Sequence, residues 1–333
     1  MPRSLRIGIL GTAKIARQFV EDVRTSTKVA VTAVASRDRA RVQRFAEDLG
    51  VGRVSASYDD LLADREIDAI YNPLPNTLHA EWSIRAAQAG KHILCEKPLA
   101  ATADEASEMI RAAQDAGVYL VEAYPYRSQP LTKKMNDMLT AGEIGSVRLI
   151  HADFGFHMSD ESNIRLDPSL KGGSLWDVGC YTVSLATMIA RGRPKRVHAS
   201  ATWTRTGVDK TVAATLEFSS GLIAQISSSF DTALHRHATI VGTRAVIQTG
   251  YSNHTSNPAT FVIRSGYGQD GIEKTVPAPG MSGFLAEAES FADLIQHGPP
   301  VWNGVTNQES VDILVTLEAI LLSAQTGKPV EVS

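Results

Sequence analysis

The sequence predicts an α/β protein of two domains, with a doubly wound parallel sheet over residues 1–123 and an α+β domain over 124–333 built on an open-faced, largely antiparallel sheet. Three observations carry this. The chain has 333 residues, more than a single hydrophobic core ordinarily serves. Up to residue 123, short apolar runs alternate with helix-period stretches, the pattern of βαβ units. From residue 124 onward, apolar runs follow one another across tight-turn signals such as Ser219-Ser220-Gly221, which suit antiparallel hairpins.

In the first domain, Arg6 to Leu10 reads as a strand and Lys14 to Arg24 as a helix. Ala30 to Ala35 is a second strand, followed by a helix from Arg39 to Leu49. Ala69 to Tyr71 and His92 to Cys95 are short strands flanking a helix over His79 to Ala89, which Gly90 ends as glycine commonly does. A helix from Thr102 to Ala116, stopped by Gly117, leads to the strand Tyr119 to Ala123. In the second domain the strands are Val147 to Phe156, Arg196 to Thr206, Lys210 to Phe218, Leu222 to Ser229, Ala238 to Gly242 and Thr260 to Arg264. Helices are expected at Leu131 to Ala141, Ser174 to Ala190, Gly283 to Gln296 and Asn307 to Gln325. One face of this sheet has no obvious helix to cover it, and Val212, Ala214, Leu216 and Phe218 are read as its apolar residues, which predicts a homodimer or larger even oligomer through that face.

Composition removes several classes of function. A net charge of -3, with Lys and Arg spread along the chain, argues against nucleic acid or a membrane surface as partner. No run of about 18 apolar residues occurs, and the start of the chain has no secretory pattern, so the expected setting is cytoplasmic. The two cysteines, Cys95 and Cys180, each sit in an apolar stretch and read as buried thiols; no metal site is expected. His235 and His237 share a strand face without an evident partner and read as structural.

The turn from the first strand into the first helix, Gly11-Thr12-Ala13-Lys14-Ile15-Ala16, matches Gly-x-Gly-x-x-Gly/Ala with Ala13 in the second position. In the Rossmann domain such a turn rests a pyrophosphate on the free N–H groups of the helix N-terminus. An NAD site places a carboxylate about 20 residues further on. Here the end of the second strand offers Ser36, Arg37 and Arg41, guanidinium groups suited to a 2′-phosphate, so the cofactor read from the sequence is NADP, with NAD as an alternative. Asp38, adjacent, is the competing ribose ligand.

Two further motifs carry chemistry. Cys95-Glu96-Lys97-Pro98 stands at the C-terminal end of a strand, where open α/β sheets bind ligands. Gly172-Gly173-Ser174-Leu175-Trp176-Asp177-Val178-Gly179-Cys180-Tyr181 places Asp177 and Tyr181 four apart, on one face of a helix. Gly179, costly inside a helix, implies a close neighbour.

With these residues in view, the chain resembles the glucose-fructose oxidoreductase / inositol dehydrogenase (Gfo/Idh/MocA) family along essentially its whole length. The resemblance rests on Gly11 to Ala16, Pro73-Leu74-Pro75-Asn76-Thr77-Leu78-His79, Glu96-Lys97-Pro98, Glu122 to Arg127, Arg165-Leu166-Asp167-Pro168 and Asp177 to Tyr181. Tyr at 181 and the Arg165 run resemble the branch with glucose-fructose oxidoreductase, NADP-dependent xylose dehydrogenase and dimeric dihydrodiol dehydrogenase. It implies a hydride transfer between NADP and a carbinol or carbonyl carbon of a sugar or cyclic diol, with Lys97, Asp177 and Tyr181 as the active group. It also implies a cis Lys97-Pro98 bond, cofactor contacts from Pro73, Leu74, Asn76, His79, Glu96 and Lys97, and a substrate pocket using Lys97, Arg165, Trp176, Asp177 and Tyr181. His157 and Phe156 are weaker lining candidates, and Tyr124, Tyr126 and Arg127 would shape the cleft. Gln129 stands where relatives often carry His, which bears on the substrate.

Chemistry supports the trio. A free Tyr titrates near ~10 and a free Lys near ~10.4. An ammonium held against a phenol favours the phenolate, which makes Tyr181 the acid/base and Lys97 its tuner. Asp177 would orient a substrate hydroxyl or Lys97. Two other readings stand beside this one: an aldose-aldose oxidoreductase that keeps NADP bound, and a non-catalytic NADP-sensing regulator.

Overall fold

The computed structural model describes residues 3–251, 259–266 and 271–332. In chain order the elements begin β1 (Leu5–Leu10), α1 (Lys14–Val23), β2 (Val29–Ala35), α2 (Arg39–Leu49), β3 (Arg53–Ser55), α3 (Tyr58–Ala63) and β4 (Ala69–Asn72). Then come α4 (His79–Gln88), β5 (His92–Glu96), α5 (Ala103–Asp115), β6 (Leu120–Ala123), α6 (Pro125–Ser128), α7 (Pro130–Thr140) and β7 (Val147–His157). The remainder is α8 (Cys180–Ala190), β8 (Arg196–Trp203), β9 (Asp209–Glu217), β10 (Ile223–Ser229), β11 (Asp231–Gly242), β12 (Ala245–Thr249), β13 (Ala259–Ser265), β14 (Ile272–Ala278), α9 (Gly283–His297), α10 (Asn307–Thr326) and β15 (Val330–Glu331).

The chain divides into two compact units, residues 1–129 with 281–307, and residues 130–280 with 308–333. In the first, six strands pair in the order β3-β2-β1-β4-β5-β6, every pair parallel. The order reverses between β1 and β4, the switch point at whose C-terminal ends open sheets hold ligands. Helix α1 buries Ala16, Phe19, Val20 and Val23, spacings that fall on one face. Asp38 caps α2 by accepting from Arg41 N, and Gly50 closes it in the left-handed conformation. Thr102 caps α5 by accepting from Glu105 N, while Glu105 Oε2 accepts from Ala101 N.

The sequence places everything after residue 123 in the second domain; in the structure residues 124–129 and 281–307 belong to the first unit. Packing explains it. Phe284, Ala288, Phe291 and Leu294 of α9 join the core formed by Ile7, Ile9, Val34, Tyr71 and Leu94. Phe19 stacks on Tyr71 at 4.1 Å and meets Phe284 edge-on at 5.8 Å. Lys28 pairs with Asp293, and Ser26 with Glu289, along the same helix.

The second unit holds a nine-stranded sheet in the order β14-β13-β12-β11-β7-β10-β9-β8-β15. β7 and β10 run parallel and the other described pairs antiparallel. Helix α8 packs on β7 and β10, and Ser323 of α10 accepts from Ala199 N at 3.0 Å. The parity of β9 differs from expectation. Val212, Ala214, Leu216 and Phe218 are buried, so the exposed side of that strand carries Thr211, Ala213, Thr215 and Glu217, all half-buried or exposed. Register aligns His198, Thr215, Gln225, His151, Thr239 and Gln248 in one row across this side. The row is polar, not apolar.

Where a single α-helix from Ser174 was expected, Leu175–Gly179 forms a π-helical turn that feeds α8. Such turns are rare inside helices and recur at functional positions. Gly179 has the close neighbour its cost implied. A Cβ there would lie 2.9 Å from Leu175 Cδ1 and 3.2 Å from Ser228 Cβ. Gly179→Ala is therefore expected to destabilise the protein by roughly 1–3 kcal/mol in denaturant titrations, as overpacking does. Gly52→Ala, where a Cβ meets nothing within 4 Å, should change stability far less.

Candidate active site

The candidate cofactor site is built at the C-terminal ends of β1, β2, β4 and β5. Gly11 takes φ +85° as the chain leaves β1, and its N donates to Ala35 O at 2.7 Å. A Cβ there would lie 3.2 Å from Leu74 Cδ2, so Gly is required both by φ and by the approach of the β4 loop. Ala13 caps α1 with no side-chain hydrogen bond. The N-terminal N–H groups flanked by Thr12, Lys14 and Ile15 are thus uncapped by Ala13 itself, the arrangement an anion uses.

At the end of β2, Ser36 is half-buried while Arg37 and Arg41 are exposed. Arg41 reaches back to donate to Thr12 O at 3.1 Å, bringing its guanidinium over the Gly-rich turn. The Asp38 carboxylate accepts from Arg41 N at 2.9 Å as the α2 cap. That bond engages one of the two carboxylate oxygens. The residues fit a dinucleotide with a 2′-phosphate: a tight turn that a Cβ would fill, a helix N-terminus, and two guanidinium groups.

His79 holds the β4 and β5 loops together. It is fully buried, with Nδ1 2.9 Å from Pro98 O and Nε2 2.7 Å from Leu74 O. Burial holds its pKa below the ordinary value, against the opposing pull of the two carbonyls. Each ring nitrogen faces a backbone carbonyl, and a neutral imidazole donates to one of the two; Pro73 is buried, and Leu74 and Asn76 are half-buried. Glu96 is buried and accepts from Tyr71 OH at 2.6 Å and from Lys97 N at 3.3 Å. The Lys97–Pro98 peptide is cis, and Lys97 itself is half-buried.

The second unit brings Arg165, Trp176, Asp177 and Tyr181 into one neighbourhood. Arg165 Nε donates to Asp177 Oδ2 at 2.7 Å, and this carboxylate is the main cause that raises the Arg165 pKa. Asp177 leaves the π turn with its side chain 15% exposed. Tyr181, 5% exposed, packs at 5.6 Å against Phe154, and the Arg236 guanidinium lies 5.1 Å from the same Phe154 ring. Trp176 is buried with the Lys171 ammonium 4.6 Å from its ring, so its indole does not offer an open stacking face here.

Asp209 escaped sequence reasoning. It accepts from Ser174 Oγ at 2.8 Å and Leu175 N at 2.7 Å, anchoring the first residues of the π turn. Burial raises its pKa despite those bonds. Of the weaker candidates, Phe156 meets Phe230 edge-on and His157 is exposed, 3.9 Å from Asp231. Tyr124, Tyr126 and Arg127 are buried, and Gln129 donates to Met281 O. His237 lies 3.7 Å from Asp153, a partner the sequence did not reveal. Among the described residues no group of His, Cys, Asp and Glu is arranged to hold a metal.

Comparison with known proteins now adds to the geometry. Residues 5–124 match the oxidoreductase family with an NAD-binding Rossmann fold, and residues 132–248 match the GFO/IDH/MocA C-terminal domain. The chain belongs to the Gfo/Idh/MocA oxidoreductase family. It is 40% identical to D-xylose 1-dehydrogenase (NADP(+)) 2 of Haloferax volcanii, over 98% of this chain and 99% of that protein. It is 35% identical to trans-1,2-dihydrobenzene-1,2-diol dehydrogenase of Xenopus tropicalis, over 72% of this chain and 74% of the relative. Among solved structures, aldose-aldose oxidoreductase from Caulobacter crescentus in complex with glycerol is similar at a TM-score of 0.89, with 26% identity, covering 99% of this chain and 100% of that one. A 3-ketoreductase from Actinomadura kijaniata in complex with NADP and TDP-benzene gives 0.85 and 28%, covering 96% and 98%.

A pH prediction follows from His79. Burial holds its folded pKa below the ordinary histidine value of about 6.5, so below that pH the unfolded chain binds more protons than the native one and stability falls. His79→Asn is expected to lower stability at pH 8 yet flatten the loss between about pH 6.5 and 5. Unfolding free energies measured across that range for both proteins check it.

Proposed function

We propose that this protein is an NADP-dependent dehydrogenase that moves a hydride between the nicotinamide and the carbinol or carbonyl carbon of a sugar or cyclic diol, oxidation of an aldose at C1 to the lactone being the leading case. The observation that carries the cofactor choice is the strand end of β2. Arg37 and Arg41 stand there beside Asp38, which caps α2, and two guanidinium groups at that place favour a phosphate over a bare ribose hydroxyl. The substrate class is supported by the similarity to a xylose dehydrogenase and a dihydrodiol dehydrogenase across most of the chain.

In this reading the α1 N-terminus and the turn Gly11 to Ile15 hold the pyrophosphate, Arg37, Arg41 and Ser36 the 2′-phosphate, and the Pro73 to His79 and Glu96-Lys97 loops border the nicotinamide ribose. NADP, when bound, accepts or returns the hydride. The chain's own residues handle the proton. Tyr181 takes the proton of the substrate hydroxyl during oxidation and returns it during reduction. Lys97 supplies a cation that favours the charged forms of phenol and substrate oxygen. Asp177, held at a fixed angle by Arg165, accepts from a substrate hydroxyl. The first unit is thereby the NADP-binding domain and the second the substrate-binding and assembly domain.

We further infer a cytoplasmic homodimer or larger even oligomer. Two buried free cysteines suit a reducing compartment. No described helix is long and apolar enough to cross a membrane. The exposed row of the second sheet, with the polar depression lined by His151, Asp153, His198 and Gln225, suits a hydrogen-bonded subunit contact. A second reading, hydride exchange between two aldoses with NADP retained, is favoured by the likeness to the Caulobacter structure. NADP that survives gel filtration of the pure protein would select it.

Two outcomes test the assignment. Replacing Arg37 and Arg41 together should weaken NADP binding far more than NAD binding, each lost charge-assisted contact costing roughly 1.5–3 kcal/mol; equal losses for both cofactors would sink the choice. Tyr181→Phe should keep the fold and NADP affinity while turnover on aldoses falls roughly 10²–10⁴-fold. Oxidation by the wild type should also rise with pH along a limb that this variant lacks. Near-normal turnover with the same limb would move the proton transfer to another group.

A further inference from the structure

One polar group beside the Gly11 turn has no task in the reading above. Tyr58 opens α3, a short step past the end of β3, and is 9% exposed. Trp82 of α4 meets its ring edge-on at 4.7 Å, and the Arg85 guanidinium lies 4.3 Å from the indole in turn. The ring is thereby fixed, and it carries its hydroxyl to the candidate cofactor site. That oxygen stands 3.6 Å from the point a Cβ on Gly11 would occupy, the same point that Leu74 Cδ2 approaches to 3.2 Å. Among the described residues the Tyr58 hydroxyl has no hydrogen-bond partner. A buried phenol ordinarily finds one, and Phe would fill the same volume without needing any.

The neighbourhood tells what kind of partner suits it. β2 and β3 are parallel neighbours, with Ala35 level with Ser55. Arg37 and Tyr58 therefore leave adjacent strands at the same end of the sheet. The two acids that follow Tyr58 are engaged elsewhere, Asp59 with Arg85 and Asp60 with Ser57. Burial pushes the phenol's pKa up against the opposing influence of the Arg37 charge, so the hydroxyl keeps its proton and stays a donor. A hydroxyl donor beside a guanidinium suits an oxygen that carries negative charge, because such an oxygen is bound by both. A ribose hydroxyl, being neutral, gains about half as much from each.

We propose that Tyr58 is a cofactor-binding residue whose hydroxyl donates to the 2′-phosphate of NADP beside Arg37, and that it thereby helps the protein distinguish NADP from NAD. The hydroxyl takes no part in the hydride or proton transfer. The proposal rests on the reading of the β2 strand end as a 2′-phosphate site. It predicts that removing one oxygen atom, with the ring left in place, erodes the preference for the phosphorylated cofactor.

The test uses the full-length protein and titration calorimetry with two probes, adenosine 2′,5′-bisphosphate and adenosine 5′-monophosphate, which differ only in the 2′-phosphate. Tyr58→Phe keeps the ring and its contact with Trp82, so the monophosphate should bind as it does to the wild type, which also shows that the fold is intact. Affinity for the bisphosphate, and for NADP, should fall roughly 10- to 100-fold, the scale of one hydrogen bond to a charged group. Unchanged bisphosphate affinity overturns the proposal, and so does an equal loss for both probes. Arg37→Ala supplies a second arm. If the two groups hold one phosphate, the double variant should lose less than the product of the two single losses; independent losses overturn the shared phosphate. If the wild type itself binds the two probes alike, the NADP reading fails and the proposal falls with it. A wild-type preference that Tyr58→Phe leaves intact counts against Tyr58 alone.

Discussion

One imidazole ring sets the geometry of the candidate cofactor site. His79, closed off from solvent, bridges Leu74 O and Pro98 O, which ties the loop after β4 to the loop after β5. Neither loop has a sheet ladder to hold it, and a buried carbonyl needs a partner. Once Leu74 is pinned, its side chain closes against the Gly11 turn, and only glycine fits there. Once Pro98 is pinned, Lys97 and Leu99 fall where Glu96 and Glu122 receive their N–H groups. Three strand ends thus meet at one buried imidazole, which when neutral donates to one of the two carbonyls. The cost is sensitivity to acid, since protonating His79 charges a buried group.

The second unit solves the same problem with carboxylates. Asp209 binds Ser174 and Leu175 and starts the π turn, and Gly179 lets that turn lie against Ser228 of β10. The turn then projects Asp177 to Arg165 and brings Tyr181 against Phe154. A buried acid beneath the helix holds it, while a half-exposed Arg above orients the acid that faces outward. Rigid support behind a polar group is what a reaction needs when orientation supplies much of the rate.

Local chemistry made much of this legible. The Gly11 turn, the helix stops at Gly90 and Gly117, and the arginines after β2 follow from rules that span a few residues. So does the close approach at Gly179. What escaped depends on residues far apart in the chain. Asp209 and Ser174 are joined only by folding, as are Glu122 and Leu99. The return of α9 to the first unit has no local signal, since an amphipathic helix does not say which core it completes. β12 and β14 were not read: the first is short, and the second exposes Ile272, Glu273 and Lys274 together. The parity of β9 was misjudged because Val212, Ala214 and Leu216 mark a buried face wherever it lies.

The account stands on direct hydride transfer to NADP from a carbinol carbon. The most direct test supplies an aldose deuterated at C1 together with NADP and follows the label by mass spectrometry of the reduced cofactor. The account predicts that deuterium appears in NADPH, on one face of the nicotinamide, in step with lactone formation. Lactone formed with unlabelled NADPH, or label washed into solvent, would contradict it.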